Sequence, residues 1–397
     1  MSLPRSEHQP PVITNAMKHL LIVQDVPTQF DVPFYNELAR SAAFHLTVIY
    51  TQTRQPGSGI DPELGHAPQW DHIAREDYAR IDLTPSQVRR PGEVVALVLD
   101  QQPDLVLISG YYPPLHRRLV GPLRRRGLRV GLRSDNTLAH SNFRGLKGLV
   151  KKLVLPLWLR RYTSWHPVGS LARAYLEQVA HTTRPTYLFP YNVDNDWFAR
   201  ESASHRARRD AALQRLGFPA DSYVVLGILK WHEREDPLVL LRAFRQLRVK
   251  RPDARLILVG DGPLRAQVEA MIAEMADDVS TPGYVAYSRL PALYALADIF
   301  VHPAPGEPWG VSVNEALACG VPVALSTGVG AGADLVDEGR TGFVFPAGDW
   351  QALAERLFAF SQRDDTATIQ AACEEKMRHW QYASTRAAFE RALSGAP

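Results

Sequence analysis

The sequence predicts an α/β protein with two successive βαβ domains of similar size that face each other across a cleft. Short apolar, β-rich runs alternate with helical patterns at 19–26, 44–51, 104–110 and 128–134. This alternation indicates a parallel sheet. It restarts in the second half, with runs at 222–229, 255–263, 297–303 and 321–328. Because parallel sheets bind ligands at the carboxyl ends of their strands, we expect the functional site in the cleft.

The chain divides into four segments. Residues 1–16 are polar and proline-rich, and we expect a disordered tail. The first domain then covers residues 17–195 and the second covers 196–370, with a polar linker near 191–205. Residues 371–397 are predicted to be helical and to pack back on the first domain. In the second domain, the stretch 236–250 has apolar residues at helical spacing.

Composition excludes several classes of protein. The chain has 397 residues, of which 45% are hydrophobic and 22% charged, which suits a multidomain globular protein. Its two cysteines, Cys319 and Cys373, lie far apart in sequence, so a disulfide framework is not predicted and a reducing compartment is the simpler expectation. The first residues do not resemble a signal peptide, and no apolar run is long enough to cross a bilayer. We therefore expect a cytoplasmic protein, with a peripheral position on the inner membrane face as an option.

The basic residues are concentrated in the first half of the chain. Residues 1–195 contain 23 Lys and Arg against 16 Asp and Glu, a net charge of +7, which leaves −4 for the rest of the total of +3. The stretch 116–161 holds thirteen basic residues and one acid, Asp135. A phosphate-bearing ligand or an anionic membrane fits such a surface. A solvated surface is the alternative, and since no nucleic-acid-binding motif is present, nucleic acid is not predicted as a partner.

The stretch EPWGVSVNE places two glutamates, Glu307 and Glu315, eight positions apart. Prolines and glycines in PAPGEPWG predict a loop, and a helix is predicted to begin near Val311 or Ser312 and to end at Gly320. Glu307 then lies in the loop and Glu315 lies one turn into the helix. The two carboxylates can reach opposite ends of one elongated ligand, whose anionic middle would meet the helix N-terminus.

This stretch resembles the E-x7-E region of the retaining glycosyltransferases of family four, which have the GT-B fold of two Rossmann-like domains. The resemblance runs from about Met17 to the end and is strongest over 222–349. It implies that Glu307 contacts donor-sugar hydroxyls and that Glu315 binds the ribose of a nucleotide-diphosphate sugar. It also implies that backbone amides at Trp309, Gly310 and Val311 approach the sugar and the phosphate. No cofactor besides this co-substrate is implied, and no metal.

Two further stretches extend the resemblance on the donor side. STGVGAGAD resembles the family's glycine loop beside the diphosphate, with Gly330 as the candidate contact, and an ordinary βα turn is the alternative. The segment 281–298 resembles the one that holds the nucleobase. Its candidate residues are Gly283, Tyr284, Val285 and Leu290, for which an ordinary strand-loop-helix is the alternative.

One departure from the family concerns the cations that pair with the diphosphate. The family has two, five positions apart, after the first strand of this domain. Here Lys230 occupies the first position and Glu235 the second. Arg234 is adjacent and can supply the charge if the loop shifts by one residue, because guanidinium binds phosphate well.

The first domain is expected to bind the acceptor. Its predicted strands end in loops that face the cleft, and their polar residues are the acceptor-side candidates: Asp31, Tyr35, Ser134 and Asp135, with His140 further on. For Asp31 and Tyr35, the alternative is a structural position at the entry of a helix. Relatives often use a histidine in the region that corresponds to 132–140 to contact the donor sugar.

The stretch 145–162 has apolar residues at helical spacing with basic residues beside them. We interpret the apolar stripe as core-facing, with lysines that extend to solvent. The alternative is a basic amphipathic helix that lies in an anionic membrane interface. The basic region 116–161 as a whole is interpreted as a surface for an anionic membrane. The motif DND at 194–196 resembles a metal-binding D-x-D, but it lies in the linker and we assign no metal to it.

The sequence therefore favours a retaining, metal-independent glycosyltransferase. Its acceptor is expected to be a hydroxyl of a saccharide or lipid-linked molecule in surface polysaccharide or glycolipid assembly. A nucleotide-sugar 2-epimerase on the same fold is one alternative. A non-catalytic subunit that binds nucleotide sugar is another, suggested by Glu235.

Overall fold

The structure is a computed structural model that describes residues 17–52, 71, 75–141 and 143–395. The N-terminal segment 1–16, for which a disordered tail is expected, lies outside the described residues.

The first domain is built on a sheet of six parallel strands in the order β3-β2-β1-β4-β5-β6. The central pair, β1 and β2, is in register from Lys18 opposite Phe44 to Gln24 opposite Tyr50. The strands are β1 Lys18–Gln24, β2 Phe44–Tyr50, β3 Ala79–Asp82, β4 Leu105–Ser109, β5 Val130–Ser134 and β6 Ser164–Pro167. The helices are α1 Asp31–Ala39, α2 Pro85–Arg89, α3 Pro91–Asp100, α4 Pro114–Arg125, α5 Gly145–Leu159 and α6 Ser170–Ala180.

The second domain has its own sheet of six parallel strands, in the order β12-β11-β10-β7-β8-β9. The strands are β7 Tyr223–Ile228, β8 Ala254–Val259, β9 Val279–Ser280, β10 Ile299–His302, β11 Val323–Ser326 and β12 Gly342–Phe345. The helices are α7 Asn195–Arg206, α8 Arg209–Arg215, α9 Pro237–Lys250, α10 Arg265–Ala273, α11 Leu290–Tyr294, α12 Val311–Ala318, α13 Gly332–Leu335, α14 Trp350–Ser361, α15 Thr366–Arg378 and α16 Tyr382–Ser394.

Both sheets are covered by helices on both faces, which explains their nearly continuous apolar strands. In β1, residues Leu20 to Val23 are fully buried, and alternate side chains enter two different cores. In the second domain, Val224 and Leu226 enter one core while Val225 enters the other. The predicted fold class, two α/β domains of the Rossmann-like type, is confirmed.

The chain returns to the first domain at its C-terminal end. Phe389 of α16 contacts Phe34 of α1 and Phe189, with ring centroids 6.4 Å and 4.9 Å apart. Its ring also stacks on His166 of β6, at 5.6 Å. The last helix therefore joins the core of the first domain.

The apolar stripe of α5 does not face the core, so its interpretation as a buried face was wrong. Its outward residues are exposed: Leu146, Leu149, Val150, Leu153, Val154 and Leu157. The helix is instead held by its other face, where Leu155, Trp158 and Leu159 are buried. Among the described residues, no helix is both long and apolar enough to cross a membrane.

Candidate active site

A cavity of about 410 Å³ lies between the two domains, beside the carboxyl ends of β7, β8 and β10. Both Glu307 and Glu315 line it, so the loop and the following helix direct their carboxylates to one space. Gln29 and Phe30 reach it from the first domain. The remaining lining residues are Ile228, Leu229, Lys230, Glu235, Val259, Gly260, Tyr284, Val285, Tyr287, Leu290, His302, Gly310, Val311 and Ser312.

Glu307 is held by the loop that follows β11. Its amide donates to the Gly328 carbonyl at 3.0 Å, and its carbonyl accepts from the Gly330 amide at 2.9 Å. A Cβ at position 330 would sit 1.9 Å from the Pro308 carbonyl oxygen, so any larger residue would push the loops apart. The Gly330 amide therefore already has a backbone partner, and the glycine fixes the loop that carries Glu307. Contact of Gly330 with a diphosphate stays a prediction.

Trp309 and Gly310 have opposite orientations. The buried Trp309 indole donates to Asn314 Oδ1 at 2.9 Å, and its ring lies 5.4 Å from that of Trp380, so this side chain does not line the cavity. Gly310 does line it, with a φ of +95° that few other residues adopt. Helix α12 starts at the next residue without a side-chain cap. Its positive end, at Val311 and Ser312, thus opens on the cavity.

Arg234 lies between two acids. Its Nη1 donates to Glu307 Oε2 at 2.5 Å, and its Nη2 donates to Glu235 Oε1 at 3.2 Å. The other oxygen of Glu235 accepts from the Lys230 amide at 2.7 Å. Burial raises the pKa of Glu235 to about 7, an effect that the Lys230 amide and Arg234 oppose and the Glu307 charge reinforces. Glu235 is thus an internal partner of this loop as well as part of the cavity wall.

Glu315 of α12 also lines the cavity and is almost fully buried. Its Oε2 accepts a hydrogen bond from the Tyr294 hydroxyl at 2.9 Å. Burial raises the pKa of Glu315 to about 7, and the Tyr294 hydrogen bond acts in the opposite direction. The carboxylate is therefore oriented by α11 before any ligand arrives.

His302, at the end of β10, was missed in the sequence. It is buried, lines the cavity, and would lie 3.2 Å from a Cβ at position 310. Burial and, to a smaller extent, the Arg234 charge lower its pKa to about 4, so the ring is neutral at pH 7. Its Nδ1 has no hydrogen-bond partner among the described residues. A histidine at the end of a predicted strand, five residues before Glu307, was the available signal.

The predicted nucleobase segment also borders the cavity. Tyr284, Val285 and Leu290 line it. Gly283 does not, and its carbonyl accepts from the Gly260 amide at 3.0 Å. This leaves the neighbours of Gly283 to form the wall.

Three of the acceptor-side candidates are buried in the first domain. Asp31 accepts from Arg133 Nη1 at 2.8 Å and from Gln24 at 2.7 Å, while the Tyr35 hydroxyl donates to Gln24 at 2.5 Å. The structural alternative therefore describes Asp31 and Tyr35, and Ser134 is buried as well. Asp135 is partly exposed and accepts from the Tyr191 hydroxyl at 2.8 Å.

Two further residues of the first domain lie beside the Glu307 loop or in solvent. The His140 ring would be 3.5 Å from a Cβ at position 306, directly beside Glu307. Its Nδ1 is 2.6 Å from Thr137 Oγ1. Tyr112 is 60% exposed after β4, and its hydroxyl donates to Asn136 Oδ1 at 2.9 Å. Loop folding, which the sequence pattern does not specify, decides both positions.

The described residues contain no cluster of three His, Cys, Asp or Glu side chains that could hold a metal ion. Asp194 of the DND motif instead caps α7, where it accepts from the Trp197 amide at 2.9 Å.

Comparisons with known proteins agree with this architecture. The model of the family "Glycosyl transferases group 1" matches residues 208–380. Over 405 aligned positions, 95% of this chain and 98% of the relative, the chain is 30% identical to a GDP-mannose-dependent alpha-(1-6)-phosphatidylinositol monomannoside mannosyltransferase of Mycolicibacterium smegmatis. It is also 30% identical to the putative colanic acid biosynthesis glycosyltransferase WcaL of Escherichia coli, over 47% of this chain and about half (51%) of that protein.

Among solved structures, HepE of Anabaena in complex with UDP and glucose has a TM-score of 0.69 at 17% identity, covering 95% of this chain and 100% of that one. The two six-stranded sheets thus form the GT-B architecture. With a full-length relative and a matching family model, the chain belongs to the group 1 glycosyltransferases.

Proposed function

We propose that this glycosyltransferase moves a sugar from a nucleotide-diphosphate sugar to a hydroxyl of a saccharide or lipid-linked acceptor, with retention at the anomeric carbon. One observation carries the proposal: Glu307 and Glu315 line the same cavity, with the open end of α12 also in its wall. A nucleotide sugar has hydroxyls at both ends and an anionic diphosphate between them, so two carboxylates and a helix N-terminus in one cavity wall supply the groups that would bind it.

In this arrangement Glu315 binds the ribose and Glu307 orients the sugar. Lys230, Arg234 and the N-terminus of α12 stabilise the negative charge that develops on the departing diphosphate. Arg234 takes the role of the second cation, because Glu235 occupies that position and is bonded to Arg234 and to the Lys230 amide. No step requires a metal ion, and we expect activity to persist in EDTA.

The reaction begins as the bond between the anomeric carbon and the phosphate oxygen breaks, and the bonding electrons leave with the diphosphate. The acceptor oxygen bonds to the same face of the oxocarbenium-like sugar, and its proton passes to the departing phosphate. This sequence needs no carboxylate nucleophile opposite the leaving group. Closure of the domains about the linker near 191–205 would exclude water from this step.

The acceptor would enter from the first domain. His140, beside the Glu307 loop, and the exposed Tyr112 are the side chains best placed to meet it. Relatives named for phosphatidylinositol mannoside and colanic acid chemistry support a glycolipid or surface polysaccharide product. A lipid-linked acceptor would bring the protein to the inner face of the membrane, as a peripheral protein.

A panel of nucleotide sugars tests the donor. The relatives point to two members above all, since the mannosyltransferase is named for GDP-mannose and HepE was solved with UDP and glucose. We expect one donor to be hydrolysed slowly without acceptor and to transfer its sugar with retention, as seen by NMR of the product. Release of an epimerised sugar without any acceptor would instead indicate the 2-epimerase.

A matched pair of variants tests the site. Glu307→Gln should lose about 100-fold or more of turnover. Glu233→Gln, an exposed acid in the loop after β7, should keep full turnover. Full activity of Glu307→Gln would show that the reacting sugar lies elsewhere.

A further inference from the structure

Helix α5 presents a wide apolar face to solvent. Its six outward residues are between 54% and 79% exposed: Leu146, Leu149, Val150, Leu153, Val154 and Leu157. Their spacing places them on one side of the helix, over an arc of about 140° at 100° per residue. Soluble proteins seldom leave so many large aliphatic side chains together in water, because exposed apolar patches of this kind mark interaction sites.

The opposite face of α5 anchors the helix to the first domain. Leu155 and Leu159 are buried there. Trp158 is buried too, between Tyr111 at 5.4 Å and Tyr162 at 4.9 Å, measured between ring centroids. The helix therefore already has its core contacts, and the outward face is additional to them. This separates α5 from an ordinary amphipathic helix, whose apolar side would be the buried one.

Basic residues surround this apolar face. Lys152, Arg160 and Arg161 are exposed on or just after α5. The neighbouring α4 adds Arg117, Arg118, Arg124 and Arg125, with Arg126 following, all exposed. The two groups meet at Gly121, where a Cβ would lie 3.6 Å from the Arg125 guanidinium and 4.0 Å from that of Arg161. An apolar strip beside a cationic border matches the acyl and anionic headgroup layers of a bilayer.

We propose that α5 lies in the interface of an anionic lipid bilayer, with its six outward aliphatic residues among the acyl chains and the arginines of α4 and α5 at the headgroups. A second copy of this chain fits the surface less well. Symmetric pairing through α5 would bring the arginine borders of the two copies together, and like charges oppose such an interface.

The position of α5 links this surface to the cleft. The loop after β5 carries His140, beside Gly306, and reaches Leu146 within six residues, a chain length of at most roughly 22 Å. A docked α5 therefore holds the acceptor side of the cleft near the headgroups. The placement of the cleft near the headgroups rests on the proposed function, because it serves a lipid-linked acceptor. Membrane binding by α5 does not depend on that function.

Co-sedimentation of the full chain with vesicles tests the proposal. We expect binding to vesicles with 30% phosphatidylglycerol, and at least tenfold weaker binding to pure phosphatidylcholine. The double variant Leu149→Gln/Leu153→Gln should lose at least tenfold in affinity for the anionic vesicles, because each side chain would leave the acyl layer. Val249→Gln changes an aliphatic residue that is 75% exposed on α9 and should bind as the parent does. Arg118→Glu/Arg125→Glu should weaken binding and reduce its salt dependence.

Several outcomes overturn the proposal. They are the absence of binding to anionic vesicles, unchanged binding of the Leu149→Gln/Leu153→Gln variant, and a dimer in vesicle-free solution that this variant dissociates. Circular dichroism should give every variant the thermal midpoint of the parent, because the changed side chains are exposed. Glycosyl transfer to a water-soluble acceptor should also be unchanged in Leu149→Gln/Leu153→Gln. Failure of vesicle binding can thus be told apart from failure of the proposed activity.

Discussion

Arg234 Nη1 donates to Glu307 Oε2 at 2.5 Å, and this contact joins the loop after β7 to the loop after β10. The same guanidinium also donates to Glu235. It therefore connects the carboxylate proposed to hold the sugar with an acid at the position where the resemblance led us to expect a cation. One side chain can both orient Glu307 and bring positive charge to the diphosphate.

Removal of this guanidinium should be costly. We expect Arg234→Ala to lower kcat/KM about 100-fold, because Glu307 loses its partner and the leaving group loses a charge. Arg234→Lys should recover part of the loss, since it restores charge but not the planar fork. Arg340→Ala, an exposed arginine paired with Glu375, is the control for steady-state kinetics. Arg234→Ala with the parent's kcat/KM would refute the role given to Arg234.

Glu235 should make stability depend on pH. Its pKa is raised by burial to about 7 in the folded protein, against 4.5 ordinarily, so the folded state retains a proton that the unfolded state loses. The contribution of protonated Glu235 to the free energy of unfolding is fully present below pH 4.5. It is lost as the pH rises towards 7, and the loss amounts to about 3 kcal/mol at most.

Glu235→Gln should remove this contribution to the pH dependence. As the pH rises from 4.5 to 7, the free energy of unfolding of the variant should therefore increase relative to that of the parent. Glu233→Gln, whose side chain is exposed, should follow the parent. Urea unfolding at five pH values measures the difference. Parallel curves for Glu235→Gln and the parent would show that Glu235 titrates normally.

Tyr294 should tune Glu315. Its hydrogen bond lowers the Glu315 pKa against the raising effect of burial. Tyr294→Phe should therefore raise that pKa, leave more of the carboxyl protonated at pH 7, and weaken nucleoside diphosphate binding about fivefold. The loss should shrink at pH 8.5, where the carboxyl ionises again.

Isothermal calorimetry at both pH values measures this effect. Tyr223→Phe is its control, because that hydroxyl has no hydrogen-bond partner among the described residues and lies outside the cavity. An equal loss for Tyr294→Phe at both pH values would contradict the charge argument.

Gly330 should tolerate no side chain. Gly330→Ala would place a Cβ 1.9 Å from the Pro308 carbonyl oxygen and displace the Glu307 loop. We expect a loss of about 2–4 kcal/mol in unfolding free energy together with a loss of turnover. Gly332→Ala, whose nearest neighbour would be 3.6 Å away, should be close to neutral. Thermal melts and activity assays of the pair decide this, and a stable, active Gly330→Ala would contradict the packing argument.

The sequence predicted the parts of this molecule that local pattern determines. The runs at 19–26, 222–229 and 297–303 contain strands, and the helix predicted to begin near Val311 or Ser312 starts at Val311. Apolar periodicity and the turn preferences of proline and glycine act locally, so the sequence pattern is enough to place these elements. Glu307 and Glu315 could be placed relative to one another for the same reason.

Long-range packing limited the rest. The helical spacing of α5 revealed an apolar stripe but not which side the domain would cover. Trp158, which follows the same spacing in the sequence, is buried, whereas the other residues of the stripe are exposed. Asp31 looked available until Arg133, 102 positions away, proved to be its partner. His302 and His140 gained their positions from loops that meet only in the folded chain.

The most direct measurement is a calorimetric titration of the preferred nucleoside diphosphate into the parent, Glu307→Gln and Glu315→Gln, with turnover measured in parallel. If the two carboxylates hold opposite ends of one nucleotide sugar, Glu315→Gln weakens the nucleoside diphosphate about tenfold or more. Glu307→Gln then binds it as the parent does but loses turnover. Parent-like binding by Glu315→Gln, together with undiminished turnover by Glu307→Gln, would contradict the account.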